Sequence, residues 1–208
     1  MTDLPTCRLA TWADLDAWTG AIAAKVQAAG RNPQVIVGLT RGGWVPARLV
    51  ADHLGVKRLL ALQTAHWGET ATKDGHAALT ERLSGSVEGA TVLVVDDITD
   101  TGESLALAVD HIRTEGRPAR LETAACLHIT HSKLVPDYFA EEVPAARWVW
   151  VVFPWTYWED LRALATKALP EGKDATGVTR LLREKCHLPV PPVDVERALQ
   201  QAAASTAR

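Results

Sequence analysis

Val92 to Ser104, V-L-V-V-D-D-I-T-D-T-G-E-S, limits what this chain can fold into more than any other stretch. Its four aliphatic residues, all but Leu93 β-branched, predict a strand buried on both faces of a parallel sheet. Asp96 and Asp97 follow at once. Unpaired carboxylates are costly to bury, so the strand is expected to stop there. Asp100-Thr101-Gly102-Glu103-Ser104 is small, hydroxylated and glycine-bearing, and Leu105 to Ile112 resumes at helical spacing. In an open α/β sheet, ligands bind at the carboxyl ends of strands, where loops run into helices. Backbone N–H groups at a helix start, with hydroxyls from Thr101 and Ser104, make a phosphate cradle. Asp, Thr and Ser are also ordinary N-caps. Three acids and a T-G-x-S behind an aliphatic run exceed what capping needs, and imply a ligand carrying phosphate together with hydroxyls or a metal.

Composition narrows the field. A chain of 208 residues with 47% hydrophobic content can build one full core and a small appendage. A net charge of -3 argues against a nucleic-acid binder held by phosphate contacts. Cys7, Cys126 and Cys186 are widely spaced and odd in number, so neither a disulfide framework nor a zinc site is expected. The polar start and the lack of a membrane-length apolar run lead to the expectation of a cytoplasmic protein with no membrane association.

A second strand-to-helix turn sits upstream. Thr11 to Ala29 carries Leu15, Trp18, Ile22 and Val26 at helical intervals, and Asn32-Pro33 breaks that helix. Val35 to Leu39 predicts a short strand, Thr40-Arg41-Gly42-Gly43 follows, and Trp44 to Gly55 reads as a helix with Pro46 in its first turn. The paired glycines let a ligand approach the main chain, and Arg41 offers a bidentate fork to phosphate oxygens. Leu59 to Thr64 and Leu121 to Leu127 are further strands. The polar stretch from about 65 to 82 is long for a connection inside a compact domain, which leaves a functional flap or a disordered segment, with His66, Trp67, Glu69 and Lys73 as candidates on it.

The order strand, R-G-G, helix, then strand, D-D-x-x-D-T-G, helix resembles the type I phosphoribosyltransferases, and most of all the xanthine-guanine and other 6-oxopurine enzymes. T-W-A-D-L at Thr11 to Leu15 resembles the start of that family, and the resemblance runs to about residue 160. It implies an α/β fold: a central, mostly parallel sheet flanked by helices, a flexible flap and a base-binding hood. Residues 1–160 would form the transferase domain, with a base-binding segment at about 128–158 and a helical extension over 161–208. It implies transfer of a ribosyl group from phosphoribosyl pyrophosphate (PRPP) to a nucleobase with Mg²⁺ as cofactor, in a homodimer. Asp96 and Asp97 would then hold the ribose hydroxyls, directly or through the metal. Asp100, Thr101, Gly102, Glu103 and Ser104 would grip the 5′-phosphate, with the Glu103 side chain turned away. Thr40, Arg41, Gly42 and Gly43 would bind pyrophosphate, with a cis peptide at Thr40–Arg41. Asp100 would be the general base.

The hood carries two departures from the family pattern. The segment Trp148 to Trp155 is expected to be a buried strand, and its Pro154-Trp155 aligns with a family Pro-Trp that puts the stacking aromatic at Trp150 and the backbone base contact at Val151. A lysine that reads the purine's exocyclic oxygen belongs near Ile129, within H-I-T-H-S, and is missing; His128, His131 or Lys133 are the alternatives, with both histidines otherwise read as surface-loop residues. The metal-binding acid after Pro-Trp is Thr156, leaving Glu159 or Asp160 as substitutes. Leu161 to Leu169, Val178 to Lys185 and Val193 to Ala204 read as helices, with Pro170 to Thr176 as a linker. A different base, or a PRPP sensor without catalysis, stays open beside the 6-oxopurine reading.

Overall fold

The computed structural model describes residues 4–66 and 77–206. In chain order the elements are β1 (Cys7–Leu9), α1 (Trp12–Ala28), β2 (Val35–Thr40), α2 (Trp44–Leu54), β3 (Leu59–His66), β4 (Ala77–Glu81), β5 (Thr91–Thr99) and α3 (Glu103–His111). They continue with β6 (Arg120–Ile129), β7 (Tyr138–Val143), β8 (Trp150–Val152), α4 (Tyr157–Gly172), α5 (Ala175–Lys185) and α6 (Pro192–Thr206). The described residues divide into two compact units, one of residues 12–66 and 77–148, the other of 4–11 and 149–206.

The larger unit is a six-stranded sheet in the order β4-β3-β2-β5-β6-β7, parallel except where β4 runs against β3. Its strands are buried because both faces are covered. Val35, Val37 and Leu39 of β2 and Val92 and Val94 of β5 pack with Leu105, Ala108 and Ile112 from α3 and the turn after it. On α1, the expected Leu15, Trp18, Ile22 and Val26 are the buried stripe, joined by Thr19 and Ala23. Gly38 lets α2 lie close to the sheet, since a Cβ there would sit 2.9 Å from the Trp44 ring and 3.0 Å from Ala47. Gly55 ends α2 at a φ of 70, a left-handed residue that glycine supplies without strain. The mostly parallel, helix-flanked sheet expected from the sequence is therefore present.

Some expectations need correcting. The strand through Val92 does not stop at Asp96; β5 runs on to Thr99. Pairing with β2 ends at Gly38↔Val95, whereas pairing with β6 continues to Thr99↔His128, so the two acids extend an edge that only β6 supports. Each acid also accepts a local backbone bond: Asp96 Oδ1 from Asp97 N and Asp97 Oδ1 from Ile98 N, both at 2.9 Å. Within the expected flap, residues 77–81 are the strand β4, paired with β3 through His66↔Ala77. Trp67, Glu69 and Lys73 lie outside the described residues. The sequence reading missed β7, an edge strand whose Glu141 and Glu142 disguise it; an edge tolerates charge that a central strand does not.

In the smaller unit β8 is only three residues long and pairs in parallel with β1 as a two-stranded ribbon, so the expected strand over Trp148 to Trp155 is shorter than its aromatic run. Around it Val152, Leu161, Leu164, Ala168, Val178, Leu182 and Val195 form a core of their own. The expected linker from Pro170 is helix as far as Gly172. Pro170 removes the bond to the carbonyl four residues back but falls in the last turn, where the helix is about to end anyway. Asp174 caps α5 by accepting from Gly177 N at 2.8 Å. Cys7 and Cys186, far apart in sequence, meet here: Cys7 N donates to Cys186 O at 2.7 Å, and both thiols are free and buried. A hydrogen bond to Cys186, then burial, pushes the Cys7 thiol well up. Among the described residues no helix is long and apolar enough to cross a membrane.

Candidate active site

The connection after β2 passes through α2 to β3 on one side, and the connection after β5 passes through α3 to β6 on the other. The chain thus changes direction between two adjacent parallel strands, and such a switch point opens a crevice at their carboxyl ends. Thr40-Arg41-Gly42-Gly43 leaves β2 on one side of it, and Asp100-Thr101-Gly102 leaves β5 on the other. The two bends are at the same end of the sheet, in register from Val35↔Val92 to Gly38↔Val95.

They also touch. A Cβ on Gly42 would lie 2.2 Å from Asp97 Oδ2, and one on Gly43 would lie 2.5 Å from the Val95 carbonyl and 2.7 Å from Asp96 Cα. Glycine is required at both positions, at Gly42 because the Asp97 carboxylate occupies the space of a side chain and at Gly43 because the backbone of Leu39, Val95 and Asp96 does. The Thr40–Arg41 peptide is cis. Thr40 turns its hydroxyl back onto Leu62 O at 3.1 Å, and Arg41 is exposed at the rim.

Helices α2 and α3 both begin after a glycine, Gly43 and Gly102, and neither start has a side-chain cap. Gly102 has a φ of 80, and a Cβ on it would meet Ser132 Oγ at 2.5 Å and Leu134 N at 2.9 Å. The bend after β5 is accordingly packed on the turn after β6, where Lys133 N donates to Thr101 O at 3.1 Å. Glu103 N donates to Thr101 Oγ1 at 3.3 Å, while the Glu103 carboxylate lies 3.5 Å from Lys133 Nζ. Ser104 is half-buried in the first turn.

The acids differ in kind. Asp96 is buried, and desolvation, followed by the neighbouring charge of Asp97, pushes its carboxyl well above the usual range. Asp97 is half-buried. Under the pair, burial and then the charges of Asp97 and Asp96 push the Cys126 thiol up. Asp100, one third exposed, accepts from His131 Nε2 at 2.5 Å and from Trp148 Nε1 at 3.2 Å, both on Oδ1. Sequence reasoning did not anticipate that constellation; the only signal was H-I-T-H-S itself.

The three candidates for the missing lysine now separate. His128 is not on a surface loop. It is 3% exposed near the end of β6, bonded to Thr99 Oγ1 at 3.0 Å and tilted against Phe139, with ring centroids 5.2 Å apart. Burial holds its imidazole below the ordinary range. Lys133 is directed at Glu103, leaving His131 beside Asp100.

Magnesium takes hard oxygen donors and needs only one or two carboxylates when substrate oxygens and water complete its shell. Asp97 and the adjacent Asp96 suit that pattern, although among the described residues no three His, Cys, Asp or Glu side chains cluster for a metal. In the smaller unit Trp150 and Val151 are half-buried in β8. Trp150 Nε1 donates to Asp160 Oδ1 at 3.1 Å and Thr156 Oγ1 to Asp160 Oδ2 at 2.5 Å. Asp160 is 3% exposed with each oxygen engaged, an arrangement that orients Trp150 and does not suit the substitute metal ligand considered above.

Comparison with known proteins places this geometry in context. The model of the phosphoribosyl transferase domain matches residues 11–160. A "Bifunctional protein PyrR" from Ralstonia nicotianae is 34% identical over 116 residues, 53% of this chain and 66% of the relative, so the match spans just under two thirds of its length. A protein of the same name from Corynebacterium glutamicum is 27% identical over 155 residues, 70% of this chain and 74% of that one. Among solved structures, a purine phosphoribosyltransferase from Pyrococcus horikoshii superposes with a TM-score of 0.60 at 27% identity, covering 72% of this chain and 93% of its own.

Proposed function

We propose a function from one premise: the chain belongs to the phosphoribosyl transferase domain family, whose model covers residues 11–160. It transfers the 5-phosphoribosyl group of PRPP to a nucleobase of the 6-oxopurine class and releases pyrophosphate. One observation carries this reading: the two glycine bends flank one switch point, where Gly42 lies against Asp97 of β5. A substrate bearing phosphate groups at both ends of a sugar fits such a pair.

The roles follow from charge. The N–H groups at the start of α3, with Thr101 and Ser104, receive the 5′-phosphate, while the Glu103 carboxylate is turned to Lys133 and does not repel it. Arg41 and the backbone of Gly42 and Gly43 receive the pyrophosphate. Asp96 and Asp97 hold the ribose hydroxyls, and Mg²⁺, when bound, neutralises the leaving pyrophosphate. Asp100 accepts the proton that the base loses as its nitrogen bonds to the anomeric carbon. Positioning and preorganised charge supply most of the acceleration. Trp150 and Val151 are proposed to hold the base by stacking and a backbone contact.

A second reading has its own support. The base-reading lysine is missing near Ile129, and two curated relatives carry the name bifunctional. Incubation with PRPP, Mg²⁺ and a panel of bases, with pyrophosphate release as the signal, tests both. Turnover with guanine, xanthine or hypoxanthine supports the first. Turnover only with another base moves the assignment to that base, and PRPP binding without turnover replaces transfer by sensing.

A further inference from the structure

The Asp100 carboxylate is held from one side. Its described hydrogen bonds fall on Oδ1, from the imidazole of His131 and the indole of Trp148, whose donors come from different segments. Oδ2 accepts none of them. A carboxylate on a mobile bend would rotate about its last bond; two ring donors fixed on one oxygen prevent that and leave the other oxygen presented.

The donors are themselves fixed. The turn that carries His131 is tied down by Thr130 N to Val143 O at 3.0 Å, Ser132 N to Ile129 O at 2.9 Å and Lys133 N to Thr101 O at 3.1 Å. Ala145 N donates to Thr130 Oγ1 at 2.9 Å, and Ser132 fills the space that a Gly102 side chain would take. Trp148 follows the short helical turn Ala145–Arg147, where its N–H donates to Ala145 O at 3.1 Å. A contact made between braced segments differs from a chance surface ion pair, which would add little.

We propose that His131 is a positioning residue for the proton transfer: with Trp148 it clamps Asp100 Oδ1, so that Oδ2 faces the nucleobase nitrogen. No covalent step is added. The base N–H proton goes to Asp100 Oδ2 and His131 keeps its own. The inference rests on the transferase reading above and deepens it, by assigning a role at the same site to a histidine beside the position where the family lysine is missing.

The test separates orientation from binding. In His131→Leu the clamp loses its shorter bond, and kcat is expected to fall roughly 10²-fold, the scale of a small misplacement of a reacting group. The KM for PRPP stays within about twofold, since the phosphate contacts are elsewhere. His131→Gln places an amide N–H near the position of Nε2 and restores most of kcat. Trp148→Phe lowers kcat in the same direction, and adding it to His131→Leu costs less than the product of the two single effects, because both act on one oxygen. PRPP affinity measured by calorimetry reports that each variant has folded. A His131→Leu kcat equal to wild type, or a His131→Gln variant as impaired as His131→Leu, overturns the clamp while leaving the transferase standing. A wild-type protein that turns over no base overturns both.

Discussion

Gly42 lies so close to Asp97 that a single added methyl group would come within 2.2 Å of the carboxylate oxygen. The bend after β2 and the end of β5, more than fifty residues apart in sequence, thus share one wall. Gly43 is different, because its neighbours are the backbone of Val95 and Asp96. A side-chain oxygen can swing away, whereas a central strand cannot.

From that difference we expect Gly42→Ala to be a functional lesion and Gly43→Ala a structural one. Gly42→Ala should displace Asp97 and weaken PRPP binding roughly tenfold or more with little change in Tm. Gly43→Ala should cost about 1–3 kcal/mol of stability through overpacking. Denaturant unfolding beside calorimetric PRPP titration distinguishes the two, and equal stability losses would refute the contrast.

Asp96 carries a pH signature. Its carboxyl is raised in the folded chain, first by desolvation and then by Asp97, so folding favours the protonated form. Stability from this group is complete below the unfolded value of about 3.9 and is lost as pH rises through the raised folded value. Asp96→Asn, which keeps an oxygen to accept from Asp97 N, should remove that loss. Its Tm should exceed wild type at neutral pH and converge with it in acid, while turnover falls because the ribose loses a partner. A variant less stable than wild type at neutral pH would refute this account.

Asp100→Ala should lower turnover about 10²–10⁴-fold if the carboxylate accepts the proton. The residue is one third exposed, so Tm should change little. Pyrophosphate release at saturating PRPP and base measures it, and unchanged turnover would remove the assignment.

Asp160 gives a test in the smaller unit. Two donors, Trp150 Nε1 and Thr156 Oγ1, end on this buried carboxylate. Asp160→Ala strands both, at a cost of about 2–4 kcal/mol. Urea unfolding followed by tryptophan emission reads the loss. A stable variant that binds Mg²⁺ more weakly would instead make Asp160 a metal ligand.

Much of the site was legible in the chain because its signals are local. A β-branched run followed by acids, or a short strand followed by R-G-G, constrains its own backbone whatever surrounds it. Thr40 to Gly43 and Asp100 to Ser104 were found that way, as was the buried face of α1. Other features resisted for equally physical reasons. Val92 to Asp97 looked like a strand ending because a carboxylate pair is costly inside a sheet; β6 pairing and local backbone donors carried β5 on to Thr99. Tyr138–Val143 was missed because an edge strand need not alternate cleanly.

The sequence by itself determined two strand–glycine–helix turns, since turn residues and apolar periods act over a few neighbours. Only the tertiary structure decided which acid is buried, that His128 turns inward while His131 reaches Asp100, and that Cys7 meets Cys186. Those outcomes depend on strand order, which brings together residues 31 and 48 positions apart around Asp100. Contacts over that distance are set by how the whole sheet packs, and no short window of residues encodes them.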